Sequence, residues 1–373
     1  MGISYNKIQV RIHLKNIVRN YRTLNQKGGC AYPVIKADAY GHGLLETAAA
    51  LAKAGAHTLA VGTVNEAVSL REAPFNGRIL SLLGPVDHKD YEAIAAYGIL
   101  ALAYRSDQLE LLRGQAKKQK KPLPVALKFD TGMARLGFGP EDVPELVDRL
   151  KAHPELELSM VCSHLATADQ PADKKFVLDQ GKRFQDIVDE LKRAGLRFES
   201  SLANSACVLA YPDLLFESQR PGISLYGANP FWGTDWEDKG FKLVPAMEVT
   251  APVLQVHGLR RGTSISYGCT FTANKDMRVA VVAAGYADAY SRGLSNKGIM
   301  LVHGKRAPVV GRVCMQLTAV DVTDIPETRA GDRAYLLGGE GEGAIRPEEL
   351  AHWWGTIPYE VFCMLGLNPR EYI

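Results

Sequence analysis

The sequence lacks the features that announce a metal centre, a disulfide scaffold, a membrane anchor or a nucleic-acid surface. Its six cysteines (Cys30, Cys162, Cys207, Cys269, Cys314 and Cys363) are scattered, with no C-x-x-C pair. In a chain of 373 residues that spacing reads as reduced thiols rather than a disulfide framework. None of the nine histidines falls in an H-E-x-x-H or comparable arrangement, so no metal is expected. Lys plus Arg number 44 against 41 Asp plus Glu, a formal charge of +3, which offers no long-range field to nucleic acid or an anionic membrane. Any recognition of phosphate must therefore be local. No run approaches the roughly 18 apolar residues that span a bilayer. Residues 1–7 lack the apolar stretch of a signal peptide. The expectation is a cytoplasmic protein long enough for two domains.

What is present is a repeat of strand-like and helical segments. Short apolar runs fall near residues 34–35, 59–61, 79–82, 99–102, 125–127, 158–161, 200–202 and 223–225. Helical periodicity is clearest over 44–54, 64–72, 108–119 and 174–194, with a short strand at 8–12 and a helix over 13–26 ahead of the series. Strand and helix alternating in eight units predict a (β/α)8 TIM-like barrel, with chemistry at the carboxyl ends of the strands. An open doubly wound sheet is the alternative. Beyond about Pro230, Val- and Ile-rich runs at 253–256, 279–283, 299–302, 308–313, 318–322 and 334–337 predict a mostly antiparallel β-strand domain. The expected division is a barrel over 12–238 and a C-terminal β domain over 239–373, with residues 1–11 packed on the latter.

The stretch P-V-I-K-A-D-A-Y-G-H-G, residues 33–43, places Lys36 at the end of the first apolar run, before a glycine-containing loop. Lysine is seldom buried without a partner. An amine there suits an imine with a carbonyl or with pyridoxal phosphate (PLP), the alternative being a side chain that snorkels to solvent. Lys128, Asp130 and Arg135 follow the fifth run, His164 the sixth, and Asn204 and Ser205 the seventh. Arg220, Gly222 and Ile223 flank the eighth. Barrels often hold phosphate in the last two loops, where Ser205 precedes an apolar helical run and Gly222 admits close backbone approach. In a closed ring the eighth strand adjoins the first, so Lys36 falls beside that grip, and the pairing points to PLP. An ordinary helix cap is the alternative for Ser205, and a surface salt bridge for Arg220. An arginine beside the pyridine nitrogen cannot surrender its proton, an arrangement that favours quick reprotonation of a carbanion over elimination. Inverting a stereocentre needs a proton-transfer group on each face; Lys36 serves one, and a tyrosine (Tyr267, Tyr286 or Tyr359 among the candidates) the other.

Motifs spread over nearly the whole chain resemble the alanine racemase family. They include V-I-K-A-D-A-Y-G-H-G from Val34, K-F-D-T-G-M-A-R-L-G from Lys128, S-H-L-A-T-A-D from Ser163 and A-N-S-A from Ala203. R-P-G-I-S-L-Y-G from Arg220, S-Y-G from Ser266, G-Y-A-D from Gly285, G-R-V-C-M from Gly311 and G-T-I-P-Y-E from Gly355 complete the set. The resemblance implies a fold-type III PLP isomerase that interconverts L- and D-alanine by two-base proton transfer, supplying D-alanine for the peptidoglycan of a cell wall. It implies Lys36 as the Schiff-base lysine and the base on the D side, with Tyr267 acting on the L side from the partner of a homodimer. It assigns Tyr40, Ser205, Gly222, Ile223 and Tyr359 to the phosphate and Arg220 to the pyridine nitrogen. His164 would stand in a hydrogen-bonded chain between Arg220 and Tyr267. Arg135 is implied at the cofactor's phenolic oxygen and the substrate carboxylate, Met315 from the partner at that carboxylate, and Lys128 as a carbamylation position.

Three positions depart from the family pattern. Gln316 replaces the usual Asp, which bears on substrate range; Ser201 replaces a usual His, which removes a partner from Arg220; Leu367 replaces a usual Arg. A racemase of serine or of broader range is the runner-up. A barrel-type PLP decarboxylase is disfavoured by Arg220, and a non-catalytic PLP carrier by the second domain that holds Tyr267 and Met315.

Overall fold

The computed structural model describes residues 7–373, so six of the eleven residues expected on the second domain lie outside the described chain. Strand β1 (Gln9–Ile12) and helix α1 (Leu14–Gly28) lead to a one-turn element, α2 (Lys36–Tyr40), and to α3 (Leu44–Lys53). Then β2 (Thr58–Val61), α4 (Val64–Glu72), β3 (Arg78–Ser81), α5 (His88–Tyr97), β4 (Leu100–Ala103), α6 (Ser106–Gln119) and β5 (Leu123–Lys128) alternate. The series runs on through α7 (Val143–Ala152), β6 (Leu156–Cys162), α8 (Lys174–Arg193), β7 (Glu199–Ser201) and α9 (Ser205–Ala210). Every residue of β2 and β4 is buried, the signature of parallel strands covered on both faces. Helix starts are written locally: Thr63 and Glu66 form a capping box on α4, and Asp87 and Asp90 one on α5.

Six strands pair in parallel in the order β2-β3-β4-β5-β6-β7, and not as an eight-stranded closed ladder. The expected first strand, at 34–35, is reduced to single parallel bridges, Val34 to Ala60 and, just upstream, Ala31 to Gln219. Pro33 and Pro221 carry no N–H, so a continuous ladder cannot form on either side of them. The expected eighth strand, at 223–225, is a 3-10 turn, Ile223–Tyr226, entered through Gly222 at φ −118° and ψ −86°. The extended segment in its place lies a few residues earlier, where Ser218 bridges Ser201.

The second half contributes β8 (Met247–Leu259), β9 (Ser264–Ile265), β10 (Phe271–Thr272), β11 (Met277–Val282), β12 (Ile299–Val302), β13 (Lys305–Pro308), β14 (Thr318–Asp321) and β15 (Arg333–Leu337). Helices α10 (Pro347–Trp354) and α11 (Pro358–Leu365) and strand β16 (Arg370–Tyr372) end the chain. The sheet runs β13-β12-β15-β8-β1-β16, with β11 joining β8 and β14 joining β11. It is antiparallel except where β1 meets β16. The strand expected over 308–313 falls earlier, on β13, because Gly311 at φ +79° breaks the extended run. One apolar core joins the halves: Val10, Ile12 and Met247 belong to the same buried cluster as Leu24 and Leu225. Among the described residues no helix is long and apolar enough to cross a membrane.

Candidate active site

A cavity of about 620 Å³ opens at the carboxyl ends of the parallel strands. Lys36, Tyr40, Lys128, Arg135 and His164 line it, as do Asn204, Ser205, Arg220, Gly222, Ile223 and Tyr359. Every residue expected on the barrel side of the site is thus on one wall system. Tyr267 and Met315 are not: they are 71% and 57% exposed on the second domain.

Lys36 begins the turn α2 and lines the cavity, with part of its surface accessible to solvent. Burial and then the nearby Arg135 charge lower its pKa, so the amine loses its proton more readily than a surface lysine. Ala37, Asp38, Ala39 and Tyr40 hold φ angles of 53°, 53°, 55° and 54°, a left-handed stretch that costs about 1–2 kcal/mol per residue. The surroundings offset that strain. Asp38 accepts the Leu44 N–H at 2.7 Å and pairs with Arg370, whose guanidinium also reaches the Gly41 carbonyl at 3.2 Å. His42, buried under the Tyr226 ring, has its pKa pushed down to about 3 by burial. Its neutral ring donates from Nδ1 toward the Ala39 and Tyr40 carbonyls at 3.1 and 3.0 Å.

Opposite that turn, the loop expected to grip phosphate is organised by Ser205. The helix cap is Asn204, whose Oδ1 accepts the Cys207 N–H at 3.1 Å. Ser205 Oγ instead accepts the backbone N–H groups of Gly222 at 2.9 Å and Ser224 at 3.3 Å, so the simple-cap alternative is wrong for it. A Cβ on Gly222 would overlap the Tyr40 hydroxyl, so only glycine leaves that approach open.

Arg220 is 6% exposed, which rules out a surface salt bridge. Its guanidinium donates to Ser201 Oγ and to the Ser163 carbonyl, and Ser201 Oγ passes a hydrogen bond to the Ser218 carbonyl at 3.0 Å. Ser201 therefore gives Arg220 a partner, and the expected loss at that position does not occur. Among the described residues Arg220 makes its side-chain hydrogen bonds to Ser201 and Ser163 and none to His164. Burial first, then the charges of Arg220, Lys128, Arg135 and Lys36, hold the His164 pKa well below its usual range. The ring is neutral at ordinary pH.

Lys128 donates to the Phe129 carbonyl at 3.1 Å, and burial lowers its pKa to about 8. Asp130 shapes the next loop: although burial opposes its charge, its oxygens accept the N–H groups of Gly132, Met133 and Arg135 at 2.8, 2.9 and 3.1 Å, which lowers its pKa overall. Arg135 is thereby presented to the cavity. Tyr359 rises from the second domain, and burial pushes its phenol up to about 12. Sequence reasoning missed Glu66, which lines the cavity and accepts the Gly62 and Thr63 N–H groups at 2.7 and 3.0 Å. Its capping-box spacing from Thr63 was a readable signal. Tyr226, fully buried with its hydroxyl donating to the Val34 carbonyl at 3.0 Å, and the Asp38–Arg370 pair had none.

A readily deprotonated lysine, a hydroxyl-and-glycine cradle on the adjoining wall and a buried arginine fit PLP. Together with the β-rich second domain they define an enzyme class, the barrel-type PLP enzymes that act at the α-carbon of an amino acid. The family model described as "Alanine racemase, N-terminal domain" matches residues 12–230, and "Alanine racemase, C-terminal domain" matches 246–372. An alanine racemase of Nitratidesulfovibrio vulgaris (strain DSM 19637 / Miyazaki F) is 56% identical over 100% of both chains. One from Lawsonia intracellularis is 41% identical over 96% of this chain and 95% of its own. Among solved structures, alanine racemase from Streptomyces lavendulae, a D-cycloserine producer, has a TM-score of 0.92 at 30% identity, covering 100% of this chain and 98% of that one. Alanine racemase from Bartonella henselae with covalently bound pyridoxal phosphate has a TM-score of 0.86 at 30% identity over 100% of both chains. The chain belongs to the alanine racemase family.

Proposed function

We propose that the Lys36 cavity is where this chain interconverts L- and D-alanine with PLP, supplying D-alanine for peptidoglycan. The observation that carries the reading is the lowered amine of Lys36 in a cavity walled by Ser205, Gly222 and Arg220. PLP, when bound, supplies an electron sink that acidifies the α-hydrogen of an attached amino acid. Lys36 would hold the coenzyme covalently and would take or return the α-proton on the D side. Tyr40, Ser205, Gly222, Ile223 and Tyr359 would hold the phosphate, with Asn204 capping the helix that begins at Ser205. Arg220 would donate to the pyridine nitrogen without protonating it, an arrangement that favours reprotonation. Arg135 would pair with the substrate carboxylate, and Lys128, with its pKa lowered to about 8, is unprotonated more often than a surface lysine, as carbamylation by carbon dioxide requires.

The L side requires a second acid/base group. Tyr267 fits that role as a phenol of the partner subunit, with Met315 beside it. Their exposure supports a homodimer with shared sites. We divide the chain into a coenzyme domain, 12–238, and a C-terminal β domain, 239–373, on which β1 packs. The single bridges at Val34, Ala31 and Ser201 support reading the coenzyme domain as a closed (β/α)8 barrel. Six free thiols support a reducing, cytoplasmic setting. Incubating the protein with PLP and L-alanine, L-serine or a bulkier amino acid, followed by chiral chromatography, tests the reading. D-alanine should form fastest, and either enantiomer should reach the same final mixture. Release of carbon dioxide, or coenzyme binding with no D-amino acid, would overturn it.

A further inference from the structure

We propose that Asn296 is a positioning residue for the Tyr267 phenol, tying the turn that carries Tyr267 to the stretch that carries Met315. The inference rests on the reading of Tyr267 as the L-side group. Tyr267 lies in a 3-10 turn, Tyr267–Cys269, between β9 and β10. Those strands pair only with each other. An isolated two-stranded hairpin is marginal in water, so the sheet does not set the direction of this turn. Side chains do.

Asn296 uses both ends of its amide in opposite senses. Its Oδ1 accepts the Gly311 N–H at 2.6 Å, and its Nδ2 donates to Thr270 Oγ1 at 3.1 Å. Its own N–H donates to the Gly311 carbonyl at 3.2 Å. The backbone there is left-handed, at φ 57°, a conformation asparagine tolerates better than most residues. From the hairpin side, Ser266 Oγ donates to the Arg312 carbonyl at 2.6 Å. Gly311 completes the fit, since a Cβ there would crowd the Ile265 carbonyl and Ser266 Cβ, each at 2.8 Å. Tyr267 and Met315 therefore ride on one hydrogen-bonded mount, and Asn296 is the side chain that reaches both parts of it.

The chemistry of the amide sets the test. Alanine at 296 removes both side-chain bonds. Asn296→Asp keeps acceptance from Gly311 and lets the Thr270 hydroxyl donate to the carboxylate in place of the amide's donation; Thr270→Val removes the bond between the two side chains, and Thr270→Ser retains it. Each holoenzyme variant is incubated with D- or L-alanine in deuterium oxide, and α-deuterium incorporation is followed beside racemisation. Lys36 exchanges the D-alanine α-hydrogen whether or not Tyr267 is aligned, so that readout separates misalignment from general damage. Asn296→Ala is expected to lower racemisation and L-alanine exchange roughly tenfold while D-alanine exchange stays within about twofold of wild type. Thr270→Val should show a smaller loss of the same asymmetric kind, and Asn296→Asp and Thr270→Ser near-normal behaviour. Equal losses for both enantiomers, or no loss in any of the variants, would overturn the proposal. Tyr267→Phe runs beside them: if it too spares L-alanine exchange, the reading of Tyr267 fails; if it loses that exchange while the Asn296 and Thr270 variants do not, only the role of Asn296 fails.

Discussion

The Lys36 side and the Tyr267 side of the proposed site are built to opposite specifications. The Lys36 turn is strained and tied from several directions: by His42 beneath it, by Asp38 to the start of α3, and by Arg370 from the last strand. Tyr267 sits on a two-stranded hairpin with its ring in solvent, steered by a few side-chain bonds. Strain of the first kind persists only where the surroundings over-determine it. Exposure of the second kind suits a group whose final environment comes from another copy. One chain thus shapes the coenzyme half of the site by itself and presents the opposing half outward.

Substitutions probe that contrast in order of expected effect. Lys36→Ala should remove racemisation in both directions by about four orders of magnitude or more, together with the borohydride-reducible visible band. Persistence of that band would assign the covalent link elsewhere. Tyr267→Phe should cost about 10²–10⁴-fold in turnover with the band intact, because coenzyme binding belongs to the other half. A lost band would erase the division between the two sides.

On the coenzyme side, Ser201→Ala takes from Arg220 its hydroxyl partner. It should lower kcat/KM by about threefold to tenfold, with weaker PLP retention. Unchanged kinetics would show that the Ser163 carbonyl alone orients the guanidinium. Lys128 gives a smaller, pH-dependent effect. Its pKa is about 8 when folded and 10.5 without burial, so between those values the unfolded chain binds more protons and stability from this group rises with pH. Denaturant midpoints of wild type against Lys128→Met across that window should show a steeper rise in wild type. Parallel pH profiles would mean that the folded amine is not depressed.

The parallel strands were legible because burial on both faces leaves unbroken apolar runs, as in the L-A-L-A of β4. Lys36 stood out as a cation at the end of such a run, and Arg220, Ser205 and Gly222 as polar and small residues at the ring's closing loops. The first and last strands misled because alternation in sequence does not reveal that Pro33, Pro221 and Gly222 interrupt pairing. Ser201 misled differently. A short hydroxyl looked like a lost partner, but its contact with Arg220 depends on a backbone path that local sequence does not specify. Asp38 and Arg370, 332 residues apart, meet only once both domains have folded. Asn204 and Ser205 are both good cap residues, and only the position of Gly222 decides which of them caps.

Mixing two defective proteins addresses the shared site most directly. Lys36→Ala and Tyr267→Ala homodimers should each be nearly inactive. After dissociation and random reassociation, half of the dimers carry one variant of each kind, and in those one of the two sites has both an intact Lys36 and an intact Tyr267. The mixture should recover roughly a quarter of wild-type activity, as expected for a two-fold dimer with sites formed in trans. A mixture that forms heterodimers yet stays as inactive as its components would contradict the account.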